Sequence, residues 1–313
     1  MRQILSFVIF FTFLKLSAQE TSFKFDYFGQ TPPDTSIQEF IILDKIRSNY
    51  DFINSIAFSP SGNIIACGLT DSEWSTSTII YSYKKNGEWT LFDTLSFCTE
   101  GINSNPTFLL DSILYFSSRG NSQLEKTVDF DIFKTTFNKG KWEKAKKVIE
   151  LSEDTCREFM GTFSKKGEVF FTRLEELKQP DINHPINNEI YFGTFKNERF
   201  NKVKNIGNQI NTKADEFCAF IDPVGKYLLF GSNRKDGYGK VDLYISFRSD
   251  DGNWTTPQNM GNIINTAEID ADAVVTPDGK YMFFIRRQDW KCTIPKRILW
   301  VSTKIIEMAR HTR

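Results

Sequence analysis

Apolar residues along this chain come in short runs bounded by turn formers. Ile64-Ile65-Ala66, Leu114-Tyr115-Phe116, Val169-Phe170-Phe171, Tyr227-Leu228-Leu229-Phe230 and Tyr281-Met282-Phe283-Phe284 are flanked by Gly, Pro, Asn, Asp or Ser. Runs this short, rich in β-branched and aromatic side chains, predict strands and not helices. A turn precedes each: Ser59-Pro60-Ser61-Gly62, the degenerate Leu110-Asp111-Ser112, Ser164-Lys165-Lys166-Gly167, Asp222-Pro223-Val224-Gly225 and Thr276-Pro277-Asp278-Gly279. The turn positions 62, 112, 167, 225 and 279 lie 50, 55, 58 and 54 residues apart.

Two further markers keep the same period and order. The strand-like Ile80-Tyr81, Asp131-Ile132-Phe133, Glu189-Ile190-Tyr191, Asp242-Leu243-Tyr244 and Ile298-Leu299-Trp300 form one series. An aromatic after an outer turn, at Trp89, Trp142, Phe200 and Trp254, forms the other. Asn86-Gly87 and Asp251-Gly252 fit two-residue hairpin turns, whose positive φ angles match strand twist. Each unit reads as four strands, which predicts an all-β propeller of antiparallel four-stranded blades, five in number with six as the alternative. The fifth unit lacks its outer strand, and Glu39-Phe40-Ile41-Ile42-Leu43 is a strand without a unit. Residues 39–46 are therefore expected to close the last blade, and Lys304-Ile305-Ile306-Glu307-Met308-Ala309 to form a short terminal helix.

The repeated Pro-Asp-Gly-Lys-Tyr-x-Phe-Phe, the stretch Asp242-Leu243-Tyr244-Ile245-Ser246-Phe247-Arg248, and the twin segments Gly207-Asn208-Gln209-Ile210-Asn211-Thr212 and Gly261-Asn262-Ile263-Ile264-Asn265-Thr266 resemble TolB-like propellers built from WD40-like repeats. The leading Tyr27-Phe28-Gly29-Gln30-Thr31-Pro32-Pro33 is similar to starts of exported bacterial members. The resemblance spans about residues 25–305 and implies a periplasmic or secreted scaffold. It implies little chemistry, since members mostly bind or lack an assigned role.

The first residues change the picture next. Arg2, an apolar stretch from Ile4 to Leu14, and Leu16-Ser17-Ala18-Gln19 form the pattern of a secretion signal cleaved near Ala18. The stretch is shorter than the roughly 20 residues a spanning helix needs, and Gln19 stands where lipoproteins carry Cys. The domain reading is a leader over 1–18, an extension over 19–38, a propeller over 39–303 and a tail over 304–313. Lys+Arg and Asp+Glu balance at 39 each, so no long-range field favours nucleic acid. The odd cysteine count, Cys67, Cys98, Cys156, Cys218 and Cys292, leaves at least one thiol outside intramolecular pairing, and apolar surroundings favour buried thiols over disulfides.

Only His184 and His311 are available for histidine chemistry, which argues against a Ser-His-Asp centre and against a His/Cys zinc site. No cofactor or metal is expected. The carboxylates offer more. Glu158, Glu216 and Asp270 each stand nine residues before a turn glycine, and Glu268, Asp270 and Asp272 alternate with Ile269, Ala271 and Ala273, which on a straight strand presents one acidic face. Such a ring at a channel mouth fits a cation, a sugar, or the carboxylate pair of a glycosidase. Arginines recur at Arg119, Arg173, Arg234 and Arg286, so the same residues also fit blade-to-blade ion pairs. Gly237-Tyr238-Gly239 lacks the ending of a phosphate loop, and Ser249-Asp250-Asp251-Gly252-Asn253-Trp254 is one residue short of a sialidase Asp-box; both read as turns.

These features point to a non-catalytic exported scaffold that binds a protein or glycan of the bacterial cell envelope through loops on one face. The alternatives are a glycan-active hydrolase using the ring carboxylates, and a sugar- or calcium-binding lectin-like module.

Overall fold

The computed structural model describes residues 25–311 except 43–45, 47–49, 51, 122–123, 125–128, 176–186, 198 and 291–296. The expected leader, His184 and Cys292 lie outside the described residues. What is described is almost entirely β, with a 3-10 turn at Tyr27–Gly29 and one helix, Lys304–His311.

The strands form antiparallel meanders in chain order. The first holds Phe52–Phe58, Ile64–Thr70 and Ser77–Lys85, edged by Glu88–Trp89 and Asp93–Thr94. The second holds Ile102–Leu110, Ile113–Arg119 and Asp131–Asn138, edged by Lys141–Trp142 and Lys146–Lys147. A parallel bridge from Ser77 to Ile102 joins these two into one sheet. The third meander (Cys156–Phe163, Glu168–Glu175, Asn188–Lys196, Arg199–Asn205) and the fourth (Glu216–Ile221, Tyr227–Ser232, Asp242–Phe247, Gln258–Asn259) are separate four-stranded sheets. The fifth holds Ile269–Val275, Tyr281–Arg287 and Arg297–Ser302, and its fourth strand comes from the far end of the chain. Gln38–Glu39 pairs with Trp300 and Leu299, and the Phe40 N–H donates to the Ile298 carbonyl at 2.8 Å. Successive four-stranded antiparallel sheets of this kind are consistent with a β-propeller.

The pairing at the N-terminal strand starts one residue earlier than the sequence suggests and stops sooner. At Ile41 the ladder gives way to Gln30, whose side chain accepts the Ile41 N–H at 2.8 Å and donates to its carbonyl at 3.1 Å. The two proposed hairpin turns also part company. Asn86 and Gly87 both have positive φ, 54° and 87°. In the other, only Gly252 does; the loop is longer, with Ser249 N–H bonded to Asn253 and a bridge between Arg248 and Trp254 closing it. The Asp251 carboxylate holds that loop by accepting from the Ser249 hydroxyl and the Asn253 N–H.

Packing between meanders explains the recurring outer aromatics. Trp142 sits edge-on to Tyr81 of the first meander, Phe200 to Tyr115 of the second, and Trp254 to Phe170 of the third, with centroids 5.8, 5.8 and 5.9 Å apart. These three markers thus cover the preceding meander, where edge-to-face rings add to area burial, while Trp89 packs on Phe25 and Phe28 ahead of the first meander, with centroids 5.3 and 5.2 Å away. Leu243 and Ile245 of the fourth meander share a core with Met282 and Phe284 of the fifth, capped by Ile305 and Ile306 of the helix. The first and fifth share another, in which Phe58 lies 5.0 Å from Phe283 and Phe25, Tyr27, Phe40 and Trp300 surround them. Cys67 and Cys156 are buried free thiols on strands, Cys98 is a buried one in the connection between Asp93–Thr94 and Ile102–Leu110, and Cys218 is a half-buried one.

Candidate functional site

The ring carboxylates are brought to equivalent places. Glu158 pairs across the hairpin with Arg173, and Asp270 with Arg286, while Glu216 faces Ser232 two residues before Arg234. The ion pairs are Arg173 Nε to Glu158 at 3.0 Å, Arg234 Nη2 to Glu216 at 3.2 Å and Arg286 Nε to Asp270 at 2.6 Å. All three carboxylate side chains are 0% exposed. The pairs therefore lie within one meander, between its first and second strands, and not between blades as the repeat suggested. Hairpin register decides this: a residue nine before the turn glycine returns opposite the arginine of the next strand in the third and fifth meanders, and two residues short of it in the fourth.

What reaches between meanders is the other edge of each arginine. Arg173 donates to the Leu151 carbonyl at 3.3 Å, Arg234 to Ile210 at 2.7 Å and Arg286 to Ile264 at 2.7 Å. Those carbonyls belong to the connections arriving from the preceding meander. The carboxylates grip the same connections: Glu216 accepts the Thr212 N–H and hydroxyl at 2.8 and 2.7 Å, and Asp270 accepts both from Thr266 at 2.8 Å. The twin Gly-Asn-x-Ile-Asn-Thr segments supply these threonines. Their second asparagines complete the joint, since Asn211 exchanges hydrogen bonds with both backbone groups of Ile190 and Asn265 with both of Leu243, extending the ladder at the point where the fourth strand ends. Neither role was visible in the sequence, where these segments carried only a resemblance.

Glu158 is the least satisfied member. Its Oε1 accepts one N–H, from Glu153 at 3.2 Å, its Oε2 has no hydrogen-bond partner among the described residues, and Arg173 is shared with Glu153 at 2.7 Å. Burial pushes its carboxyl up to about 8, against the pull of Arg173 and the Glu153 N–H, and the nearby Asp131 and Asp129 add to the rise. Burial likewise raises Asp270, with Arg286 and Thr266 opposing.

Asp272 and Arg119 do not join this arrangement. The first strands of four meanders carry a bulge in which two residues oppose one phenylalanine: Asn105 and Pro106 face Phe116, Met160 and Gly161 face Phe171, Cys218 and Ala219 face Phe230, and Asp272 and Ala273 face Phe284. A bulge breaks strand alternation, so Asp272, at φ 56°, is not one of three carboxylates on a straight face. It hydrogen-bonds with Cys218 of the fourth meander, whose thiol burial raises well above its ordinary value. Arg119 lies over the Phe130 ring at 5.1 Å, and the slot equivalent to Glu158 in its meander holds Asn103, which bonds to Ser77, Glu100 and Ser118.

The remaining motifs close on themselves. Tyr238 and Gly239 give their N–H groups to Asp242, which leaves that glycine turn nothing for a phosphate. Among the described residues no group of three or more His, Cys, Asp and Glu side chains is arranged to hold a metal ion, and no helix is long and apolar enough to cross a membrane.

The two ends of the meanders differ. First and second strands are joined by short turns at 59–63, 111–112, 164–167, 222–226 and 276–280. Second and third strands are separated by 71–76, 120–130, 176–187, 233–241 and 288–296, so the longer connections all leave from the end where the Arg173, Arg234 and Arg286 ion pairs sit. Loops on a rigid scaffold are where recognition residues concentrate.

No family model and no curated protein matches the chain. Solved structures do. TolB from Acinetobacter baumannii is 14% identical over 82% of this chain at a TM-score of 0.49, and the chain spans 56% of that protein's length. A TolB protein from Agrobacterium tumefaciens is 10% identical over 82% of this chain and 79% of its own, at a TM-score of 0.50. A thermostable family-43 glycoside hydrolase is 13% identical over 79% of this chain and 88% of its own, at 0.51. At such identities what this chain has in common with the latter two is the fold alone.

Proposed function

We propose that this protein is an exported, non-catalytic scaffold, a five-bladed propeller closed by its N-terminal strand, that binds a protein or glycan partner of the bacterial cell envelope through its long-loop face. Five meanders with a shared core between each successive pair, and between the first and fifth, support the closed five-bladed reading. The leader pattern of residues 1–18 supports export to the periplasm or beyond, with 19–38 as an extension, 39–303 as the propeller and 304–313 as the tail.

One observation carries the non-catalytic reading. Glu158, Glu216 and Asp270, the ring carboxylates that could serve as an acid and base pair, are wholly buried and engaged by their own arginines. Groups in this state hold a joint together and do not meet substrate. The rival is a glycan-active hydrolase, favoured by the raised Glu158 carboxyl, since a general acid must keep its proton at neutral pH. Replacing Glu216 by Gln separates them. On the scaffold reading Glu216→Gln lowers the melting temperature by several degrees and wild-type protein releases no reducing sugar from a glycan panel. Turnover by wild type, lost in a Glu216→Gln variant of unchanged stability, would overturn it.

A further inference from the structure

The even charge balance of the whole chain, 39 basic against 39 acidic residues, hides one strongly positive strip. Over 134–147, the outer edge of the second meander, stand Lys134, Lys139, Lys141, Lys144, Lys146 and Lys147 against the single carboxylate of Glu143. The matching stretch of the first meander, 81–94, has two lysines and two acids, and that of the fourth, 245–259, one arginine and two acids. Lys147 is paired with Asp131 and Asp154, at 2.9 and 3.4 Å. The other five lysines have no ion-pair partner among the described residues, and all but the half-buried Lys134 are exposed. Glu143 accepts instead from Asn138 Nδ2 at 3.3 Å.

The strip is built against the preferences of a sheet. Lys134 and Lys146 lie directly opposite each other across the strand pair, an arrangement in which like charges destabilise. The outer hairpin of the first meander shows the ordinary solution, with Lys85 facing Glu88 across the Asn86-Gly87 turn. In the second meander Lys141 holds the place of Glu88 and faces Asn138. Lys139 takes the place of Asn86 at a φ of 49°, a conformation uncommon outside glycine. A single lysine is enough to keep an edge from pairing with another sheet. Five without partners, two of them face to face, exceed that need, and local rules broken at a cost to the fold mark functional surface.

Register sets where the charges point. Strand side chains alternate between faces, so Lys134 shares a face with Ile132 and with Tyr115, its cross-strand partner, and both of these pack into the core shared with the third meander. Asn138 continues that face, and Lys146 and Lys141 stand opposite Lys134 and Asn138. Three lysines thus line the third-meander side of the edge, with about 13 Å between the Lys134 and Lys146 pair and Lys141 at the strand rise per residue. Trp142 and Ala145, the apolar residues interspersed with them, are buried.

We infer that this edge is a docking strip for a linear acidic polysaccharide, whose spaced carboxylates meet Lys134, Lys146 and Lys141. Compact, hydrated ammonium charges in a row suit an extended polymer of separate carboxylates, whereas recognition of phosphate favours the guanidinium fork. A bilayer surface calls for exposed apolar side chains among the charges. An added peptide strand calls for an unbroken ladder edge, and this one is interrupted between Lys141–Trp142 and Lys146–Lys147. The strip lies on a sheet edge and not on the long connections, so it is a contact additional to the long-loop face.

The test titrates the protein by calorimetry with an oligogalacturonate, a neutral oligosaccharide of equal length, vesicles of phosphatidylglycerol and phosphatidylcholine in equal parts, and a duplex DNA of equal charge. The oligogalacturonate binds saturably and at least about tenfold more tightly than the neutral sugar, and added salt weakens it steeply. A Lys134→Gln, Lys146→Gln double variant binds it at least about tenfold more weakly. Lys146→Glu, which sets opposite charges across from each other, also loses binding while its melting temperature holds or rises by about 1 °C. That combination separates a ligand strip from a structural role, since a side chain the fold needs cannot be reversed in charge without loss of stability. No saturable binding of oligogalacturonate, equal binding of the neutral sugar, tighter binding of vesicles or DNA, or a lowered melting temperature in Lys146→Glu would each overturn the inference. Oligogalacturonate binding equal in wild type and the double variant would overturn it too, while leaving the long-loop face as the place where a glycan binds.

Discussion

Glu158 makes the stability of this fold depend on pH in a way one substitution removes. In the unfolded chain its carboxyl titrates near 4.5, and in the folded protein burial pushes it up to about 8. Between those values the native state keeps a proton that the unfolded chain has released, so unfolding free energy falls as pH rises. The contribution is complete below the unfolded value and gone above the folded one. At about 1.4 kcal/mol per unit the span amounts to a ceiling of about 5 kcal/mol. Burial sets the direction, like charge on Asp131 and Asp129 adds to it, and Arg173 has Glu153 as a second partner when Glu158 is neutral. Glu158→Gln replaces the protonated acid with a neutral side chain of the same shape. Urea denaturation between about pH 5 and pH 8 should show wild type losing several kcal/mol across the range while the variant loses that much less. Titration of every other group appears in both proteins, so the difference between the curves isolates Glu158. Parallel curves would refute the reasoning, because a carboxylate ionised throughout contributes the same at each pH.

Two further outcomes follow from packing. A Cβ at Gly161 would run into the carbonyl oxygens of Phe170 and of Ala219 in the next meander, so Gly161→Ala should cost about 3 kcal/mol or more by thermal melting; a neutral result would mean the bulge can open. Phe40, 3% exposed and edge-on to Phe283 and Trp300, anchors the N-terminal strand. Phe40→Ala should cost about 3–5 kcal/mol, a drop of roughly 10 °C for a chain of this size, and an unchanged melting curve would place the stability of the first-to-fifth contact elsewhere.

Strand positions were legible because each pairs a turn with an apolar run: Ile64–Thr70, Glu168–Glu175, Tyr227–Ser232 and Tyr281–Arg287 all begin within two residues of a turn glycine. The N-terminal strand was legible for the complementary reason, a run with no partner beside a unit with a missing edge. Bulges were not, since an inserted residue leaves no compositional mark, and Asp272 was misplaced for that reason. The ion pairs were half legible. Their residues recur visibly, but whether a carboxylate meets the arginine of its own hairpin or of its neighbour depends on register, which periodicity alone does not supply.

The strand at Gln38–Glu39 sets an order of events for the folding chain. Four meanders can assemble as soon as their residues emerge, each closing on local hairpins. The fifth cannot be finished by anything nearby, because its last edge is supplied by residues synthesised some 260 positions earlier. That contact has the widest sequence separation in the ladder and so the greatest loop-closure cost. Until it forms, Arg297–Ser302 presents bare backbone donors and acceptors to any other extended peptide. The period of greatest vulnerability to misassembly therefore comes at the end of folding, after most of the molecule has already reached its native shape.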